Sequence, residues 1–181
     1  MTILFLLPGL LLIAALVAID MRGPVLFTQQ RGGIGGRPFR IYKFRTMRVA
    51  EDGPVVTQAA KQDPRVTPFG AVLRRTSIDE LPQLINVLKG EMSLVGPRPH
   101  ALAHDEAFAA AAPQYVRRMR ARPGVTGLAQ ISGCRGEIRC PEDLIRRIEC
   151  DVEYIENWSV GLDFRILAAT CTRLFFDERA Y

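Results

Sequence analysis

Two carboxylates stand side by side at Asp79 and Glu80, in the run Arg74-Arg75-Thr76-Ser77-Ile78-Asp79-Glu80-Leu81-Pro82-Gln83. An acidic pair with arginines just upstream can hold a divalent cation, or one carboxylate can attack a phosphorus atom. It can equally do no more than cap a helix. Ser77 to Glu80 has the spacing of a capping box, and Pro82 suits a first helical position. Leu81, Leu84, Ile85 and Leu88 then recur at helical spacing up to Gly90. The pair is thus expected at the positive end of a helix dipole, which would favour an ionised Asp79.

Cations that could meet phosphate lie on both sides. Phe39 to Met47 alternates apolar and basic residues, as a half-buried strand does, and offers Arg40, Lys43 and Arg45. Val95-Gly96-Pro97-Arg98-Pro99 is a turn locked by two prolines that presents Arg98. The glycine-rich stretch from Arg31 to Arg37 lacks the Gly-Lys-Ser/Thr ending of a phosphate loop. It reads either as a hairpin turn or as a phosphate contact.

The elements that must position these groups are short. Gly23 to Gln30 reads as a turn and a strand, and residues 49–68 as a polar surface loop broken by prolines. Residues 101–112 form an Ala-rich helical run. Tyr115 to Pro123 is basic and amphipathic, suited to an anionic leaflet or simply to water. Gly124 to Ile131 reads as a turn and a short strand. Residues 142–158 are helical, with Leu144, Ile148, Val152 and Ile155 on one stripe, and 164–176 form a last amphipathic helix. The fold class expected is α+β, mostly helical with a small sheet.

Apolar residues make up 48% of the 181 and charged ones 24%, a balance that excludes disorder by composition. The net charge is +5, and only Lys43, Lys61 and Lys89 among the 24 basic residues are not Arg. Arg suits phosphate through its planar fork, although a genome rich in G and C would favour it too. Cys134, Cys140, Cys150 and Cys171 form no C-x-x-C pair, and His100 and His104 lie far from them, so a zinc site is not expected and free thiols are. No nucleic-acid module is present, and the basic residues lack interleaved aromatics.

Met1 to Ile19 carries no charge, and Asp20 and Arg22 close the run. No basic residue precedes it, which argues against a signal peptide. Pro8-Gly9 interrupts it and leaves Gly9 to Ile19 too short to span a bilayer. A spanning helix, a re-entrant hairpin and a buried core helix are the three possibilities, with insertion into one leaflet preferred. Residues 1–22 are therefore expected as a membrane-inserted segment and 23–181 as a cytoplasmic catalytic domain with interfacial amphipathic helices.

Four runs together resemble a known family. They are Tyr42 to Met47, Ser77 to Leu84, Asn86 to Pro99, and Arg122-Pro123-Gly124-Val125-Thr126-Gly127. They are similar to the bacterial sugar transferases, the monotopic polyprenyl-phosphate phosphoglycosyl transferases. Pro99-His100-Ala101 and the ending Arg179-Ala180-Tyr181 resemble the larger subgroup, which transfers glucose-1-phosphate or galactose-1-phosphate for exopolysaccharide. The resemblance implies transfer of a sugar-1-phosphate from a UDP-sugar to undecaprenyl phosphate with release of UMP. Asp79 would be the nucleophile of a covalent phosphosugar intermediate, and Glu80 its partner, with the pair linked to Mg²⁺. Arg74 would stand near the acceptor or transferred phosphate, and Arg98 near the nucleotide. Lys43 and Arg45 match a basic strand motif.

The same resemblance implies a monotopic protein on the cytoplasmic face of the bacterial inner membrane, in contact with membrane lipid through a re-entrant or interfacial helix. A homo-oligomer is compatible with it. Two features depart from the family pattern: Leu7 replaces the Ser of a Ser-Pro pair, and Pro8 follows Met1 so closely that the first hairpin arm is missing or very short. Cys134 and Cys140 stand where the family is usually aromatic or polar. The rival is a non-catalytic basic adaptor on a membrane surface. The sugar itself is not fixed by the sequence, with glucose or galactose favoured.

Overall fold

The computed structural model describes residues 2–48, 57–60, 63–134, 136, 138 and 140–176. The chain opens with helix α1 (Thr2–Asp20), which runs without interruption through Pro8. Strands β1 (Leu26–Gly32) and β2 (Pro38–Phe44) then form an antiparallel hairpin, in register from Leu26 opposite Phe44 to Gly32 opposite Pro38. The glycine-rich stretch is its turn: Gly35 and Gly36 take φ of 63° and 74°, which residues with a Cβ rarely adopt. The hairpin turn read for that stretch is observed.

Half of the proline-broken loop at 49–68 lies outside the described residues. Its end packs inward, with Asp63 and Thr67 buried. It leads into helix α2 (Pro68–Arg75), which the sequence reading did not anticipate. The signal was present: Thr67 accepts from the Gly70 amide at 2.9 Å as an N-cap, Pro68 follows at the first position, and Arg74 and Arg75 close the last turn. The Thr67 hydroxyl also donates to Asp20 at 2.6 Å and ties the end of α1 to the start of α2.

Helix α3 (Gln83–Leu88) is followed by β3 (Ser93–Val95), α4 (Leu102–Ala111), a 3₁₀ stretch at Pro113–Arg120, β4 (Gly124–Thr126) and a single turn α5 (Leu128–Ile131). Helices α6 (Pro141–Glu156) and α7 (Val160–Phe176) complete the chain. Strands β3 and β4 pair in parallel, so the expected strand at 124–131 ends after three residues and turns helical. At this joint the backbones touch: the Gly124 amide donates to Pro97, and a Cβ on Gly124 would fall 2.1 Å from the Gly96 nitrogen. The α+β class, mostly helical with small sheets, is as expected.

Buried hydrophobic residues gather in separate clusters. Leu144, Ile148 and Val152 of the α6 stripe are buried with Tyr115 and Ala112. Val17 and Met21 pack on Phe44 and Leu73, fixing one side of α1 against the hairpin and α2. The other side of α1 exposes Leu11, Leu12, Leu16 and Ile19. Among the described residues no helix is long and apolar enough to cross a membrane.

Candidate active site

Asp79 and Glu80 reach their places through an abrupt reversal. Helix α2 ends at Arg75, and Ser77 then takes φ 55°, ψ 16°, the only positive φ outside glycine among the described residues. Such a conformation is costly for a residue with a Cβ and marks a constrained site. A 3₁₀ turn at Ile78–Glu80 follows, and α3 starts only at Gln83, directly after Pro82. The expected capping box is not formed. The Ser77 side chain makes no cap hydrogen bond, and the Glu80 carboxylate turns to cations instead. Asn86, fully buried, locks this corner to β2: it accepts from the Tyr42 amide at 3.1 Å and donates to the Arg40 carbonyl at 2.8 Å.

The two carboxylates sit in different electrostatic settings although both are 7% exposed. Lys43 donates to Glu80 Oε1 at 2.9 Å, and Arg98 forks onto both oxygens at 2.6 and 3.2 Å. Burial alone would raise the Glu80 carboxyl, but Arg98 and Lys43 overcome it and hold it well below the usual carboxylate range. No hydrogen bond reaches the Asp79 carboxylate among the described residues. Burial and the neighbouring Glu80 charge push Asp79 up to about 6, against the pull of Lys43, Arg74 and Arg98. The helix dipole expected to keep it ionised is outweighed: α3 is one short helix, and desolvation dominates.

Asp79 opens on a cleft of about 270 Å³. Arg31, Lys43, Arg74, Arg98 and Arg147 share its walls. Arg45 lines it too, but its guanidinium donates to the carbonyls of Arg22, Met47 and Arg48, so it braces the chain after β2 against the end of α1. Of the residues expected at the site, Lys43, Glu80 and Arg98 form one ion-paired cluster beside Asp79, and Arg74 joins it from α2. A cleft that is cationic on most sides, with one ionisable carboxylate at its wall, suits a ligand with two or more phosphate charges.

Behind Arg98 lies a second charged layer that sequence reasoning missed. Arg118 is 6% exposed and donates to Asp151 at 2.7 Å, to the Arg98 carbonyl at 2.6 Å, and toward His100 Nδ1 at 3.1 Å. The Tyr115 hydroxyl donates to Asp105 at 2.6 Å and lies 3.0 Å from the same ring nitrogen. The basic stretch expected on a leaflet or in water is thus partly interior: Tyr115 and Arg118 face the core, whereas Arg117 pairs with Glu156 outside. An Arg buried against Asp has the same letter as a solvated one. Only the apolar spacing of Tyr115 could have signalled the inward face.

The sequence matches the model of the family described as bacterial sugar transferase over residues 1–177. The chain belongs to the bacterial sugar transferase family. This sugar transferase is 52% identical over 174 residues to a Caulobacter vibrioides protein named UDP-glucose:undecaprenyl-phosphate glucose-1-phosphate transferase, an overlap of 96% of this chain and 65% of that one. It is 50% identical to the Escherichia coli protein of the same name, covering 96% of this chain and 38% of that one. The Rhizobium leguminosarum bv. phaseoli exopolysaccharide production protein PSS is 46% identical, over 93% of this chain and 86% of its own length. The sugar transferase therefore spans less than two thirds of the first two relatives. All four of its cysteines are free; Cys134 contributes its carbonyl to Arg147 at 3.0 Å, and Cys140 stands exposed directly before α6.

Proposed function

We propose that this chain transfers glucose-1-phosphate from UDP-glucose to undecaprenyl phosphate and releases UMP. The observation that carries the reading is the asymmetry of the acid pair: Glu80 is neutralised by Lys43 and Arg98, while Asp79 has no hydrogen-bond partner among the described residues and opens on an arginine-lined cleft. Relatives named for this reaction, and one from Aeromonas hydrophila named for N-acetylgalactosamine phosphate transfer, support the reaction class.

In the first half-reaction an Asp79 carboxylate oxygen attacks the phosphorus that bears the sugar. A P–O bond forms to Asp79, the P–O bond to UMP breaks, and UMP leaves with the electron pair. In the second, an oxygen of undecaprenyl phosphate attacks the same phosphorus and Asp79 departs as carboxylate. One carboxylate thus serves a soluble donor and a lipid acceptor in turn. Lys43, Arg74 and Arg98 hold phosphate oxygens and offset the charge that builds on them.

Mg²⁺ takes one or two carboxylates and completes its shell with water and phosphate oxygens. Asp79 and Glu80 supply that number, and among the described residues no group of three or more His, Cys, Asp or Glu forms a closed cage. Glu80 and Asp79 would hold a cation shared with the substrate diphosphate once Lys43 or Arg98 swings from Glu80 to a phosphate oxygen. Bound there, it would neutralise the leaving diphosphate oxygen. The exposed row Leu11, Leu12, Leu16 and Ile19 supports seating of α1 in the cytoplasmic leaflet of the bacterial inner membrane, next to the lipid acceptor.

The test is UMP release from a panel of UDP-sugars, with and without undecaprenyl phosphate. UDP-glucose is expected to give about one UMP per protein without acceptor and continuous release with it. No UMP from any UDP-sugar, together with salt-sensitive binding to anionic vesicles, would favour the adaptor reading. Excess EDTA is expected to stop turnover and Mg²⁺ to restore it; full activity in chelator removes the metal.

A further inference from the structure

Two buried nitrogens in the cleft wall have no hydrogen-bond partner among the described residues. They are Nε2 of His100 and Nε of Arg31. An unpaired buried donor costs free energy comparable to a lost hydrogen bond, so such atoms call for an explanation. Both residues line the cleft that Asp79 opens on. They belong to one wall: Arg31 donates through NH1 to the Pro99 carbonyl at 3.0 Å, and its backbone bridges to Ala101, on either side of His100.

The geometry fixes what His100 can offer. A guanidinium can only donate, so we assign a bare Nδ1 opposite Arg118 at 3.1 Å and the proton to Nε2, although the Tyr115 hydroxyl 3.0 Å from Nδ1 gives its own proton to Asp105. The ring is clamped as well, edge-on to Phe108 with centroids 5.1 Å apart and stacked on Tyr115. Burial and the surrounding arginines, Arg118 first among them, hold the imidazole well below its ordinary pKa, so it stays neutral. Nε2–H is thus a rigid, uncharged donor, unlike the arginines and lysine around Asp79. Phosphate is served by those cations. A fixed neutral donor beside them suits an uncharged acceptor oxygen.

We propose that His100 Nε2–H, with Arg31 Nε–H beside it, binds a hydroxyl oxygen of the hexose and makes this wall a sugar-reading subsite. The inference rests on the UDP-sugar reading above. His100 follows Arg98 by one proline, and Arg98 grips the Glu80 next to Asp79, so the wall lies close in the chain to the group that would attack the sugar-bearing phosphorus. In this arrangement His100 is a specificity residue. Arg118, Tyr115 and Asp151 position it without touching the sugar.

The experiment uses the full chain in phospholipid nanodiscs, with UDP-glucose and its four monodeoxy analogues at C2, C3, C4 and C6. UMP release gives kcat and KM for each, in the natural protein, His100→Asn and His100→Gln. Asn places an acceptor where Nδ1 stands and keeps the Arg118 contact, but it cannot reach the Nε2 position. Gln does the reverse. One analogue is expected to lose about tenfold in kcat/KM with the natural protein, the worth of one hydrogen bond. That penalty should vanish in His100→Asn, through a weaker KM for UDP-glucose itself, and persist in His100→Gln.

Equal kcat/KM for UDP-glucose and all four analogues in the natural protein overturns the proposal without any variant. So does an unchanged penalty in His100→Asn, which would make His100 a structural residue only. Inhibition by UMP that weakens as much as UDP-glucose binding in His100→Asn also overturns it, because the contact would then be to the nucleotide. No UMP from UDP-glucose with the natural protein fails the function reading instead, and is told apart by that control.

Discussion

Two charged layers lie back to back in this molecule, and they are built on opposite rules. In the rear layer the groups pair one to one: Arg118 meets Asp151, both nearly fully buried, and the Tyr115 hydroxyl meets Asp105. In the front layer Lys43 and Arg98 converge on Glu80, and Asp79 is left with raised proton affinity. Matched charges hold a shape, and mismatched ones wait for a ligand. Evenly paired clusters explain position, while the uneven one explains chemistry.

Asp79→Asn should break the front layer most completely. UMP release is expected to fall by at least about 10⁴-fold, the scale seen when a covalent nucleophile is removed. The fold should gain from the same change. The folded carboxyl titrates near 6, above its ordinary 3.8, so its ionisation destabilises the native state as pH rises through that window. Asn removes a cost of at most about 3 kcal/mol at pH 7, and the gain disappears below about pH 4. Denaturant melts at both pH values check the sign; equal stabilisation at both would undo the assignment.

Arg118→Met should do the reverse. Leaving Asp151 buried without its partner is expected to cost about 3–5 kcal/mol and to lower the melting temperature markedly. Glu80→Gln comes next, with kcat/KM down roughly 10²-fold because Lys43 and Arg98 lose their anchor. The acid limb of its pH profile should also move below about 6, since the Glu80 charge is one of the two causes that raise Asp79. An unmoved limb would show that burial acts alone. Arg117→Ala removes a pair whose side chains are 46% and 50% exposed, and should cost less than about 1 kcal/mol with no effect on UMP release.

The contrast also explains what the sequence made legible. The hairpin and the α6 stripe follow from local pattern, and both are present. The Ser77 capping box has the right spacing but does not form, because Lys43 and Arg98 arrive from distant segments and claim Glu80. Helix α2 hid behind two prolines that read as loop, although one of them, Pro68, is its first residue. Arg118, His100 and Arg31 could not be ranked from the sequence. Their role depends on burial against Asp151, Tyr115 and Pro99, all remote in the chain.

The parallel contact of β3 with β4 gathers Arg98, His100, Asp105, Tyr115 and Arg118 into one excursion of the chain, residues 96–124. It is closed at its root by Gly96 against Gly124, backbone on backbone. A segment whose root is sealed by main chain, and whose outer ties run to Glu80, Arg31 and Asp151, can be treated as a cassette if those partners are kept. Its interior can diverge while its two ends stay at fixed spacing. Exchanging it whole between relatives that use different sugars is therefore a more conservative graft than changing its residues singly, as long as both glycines travel with it.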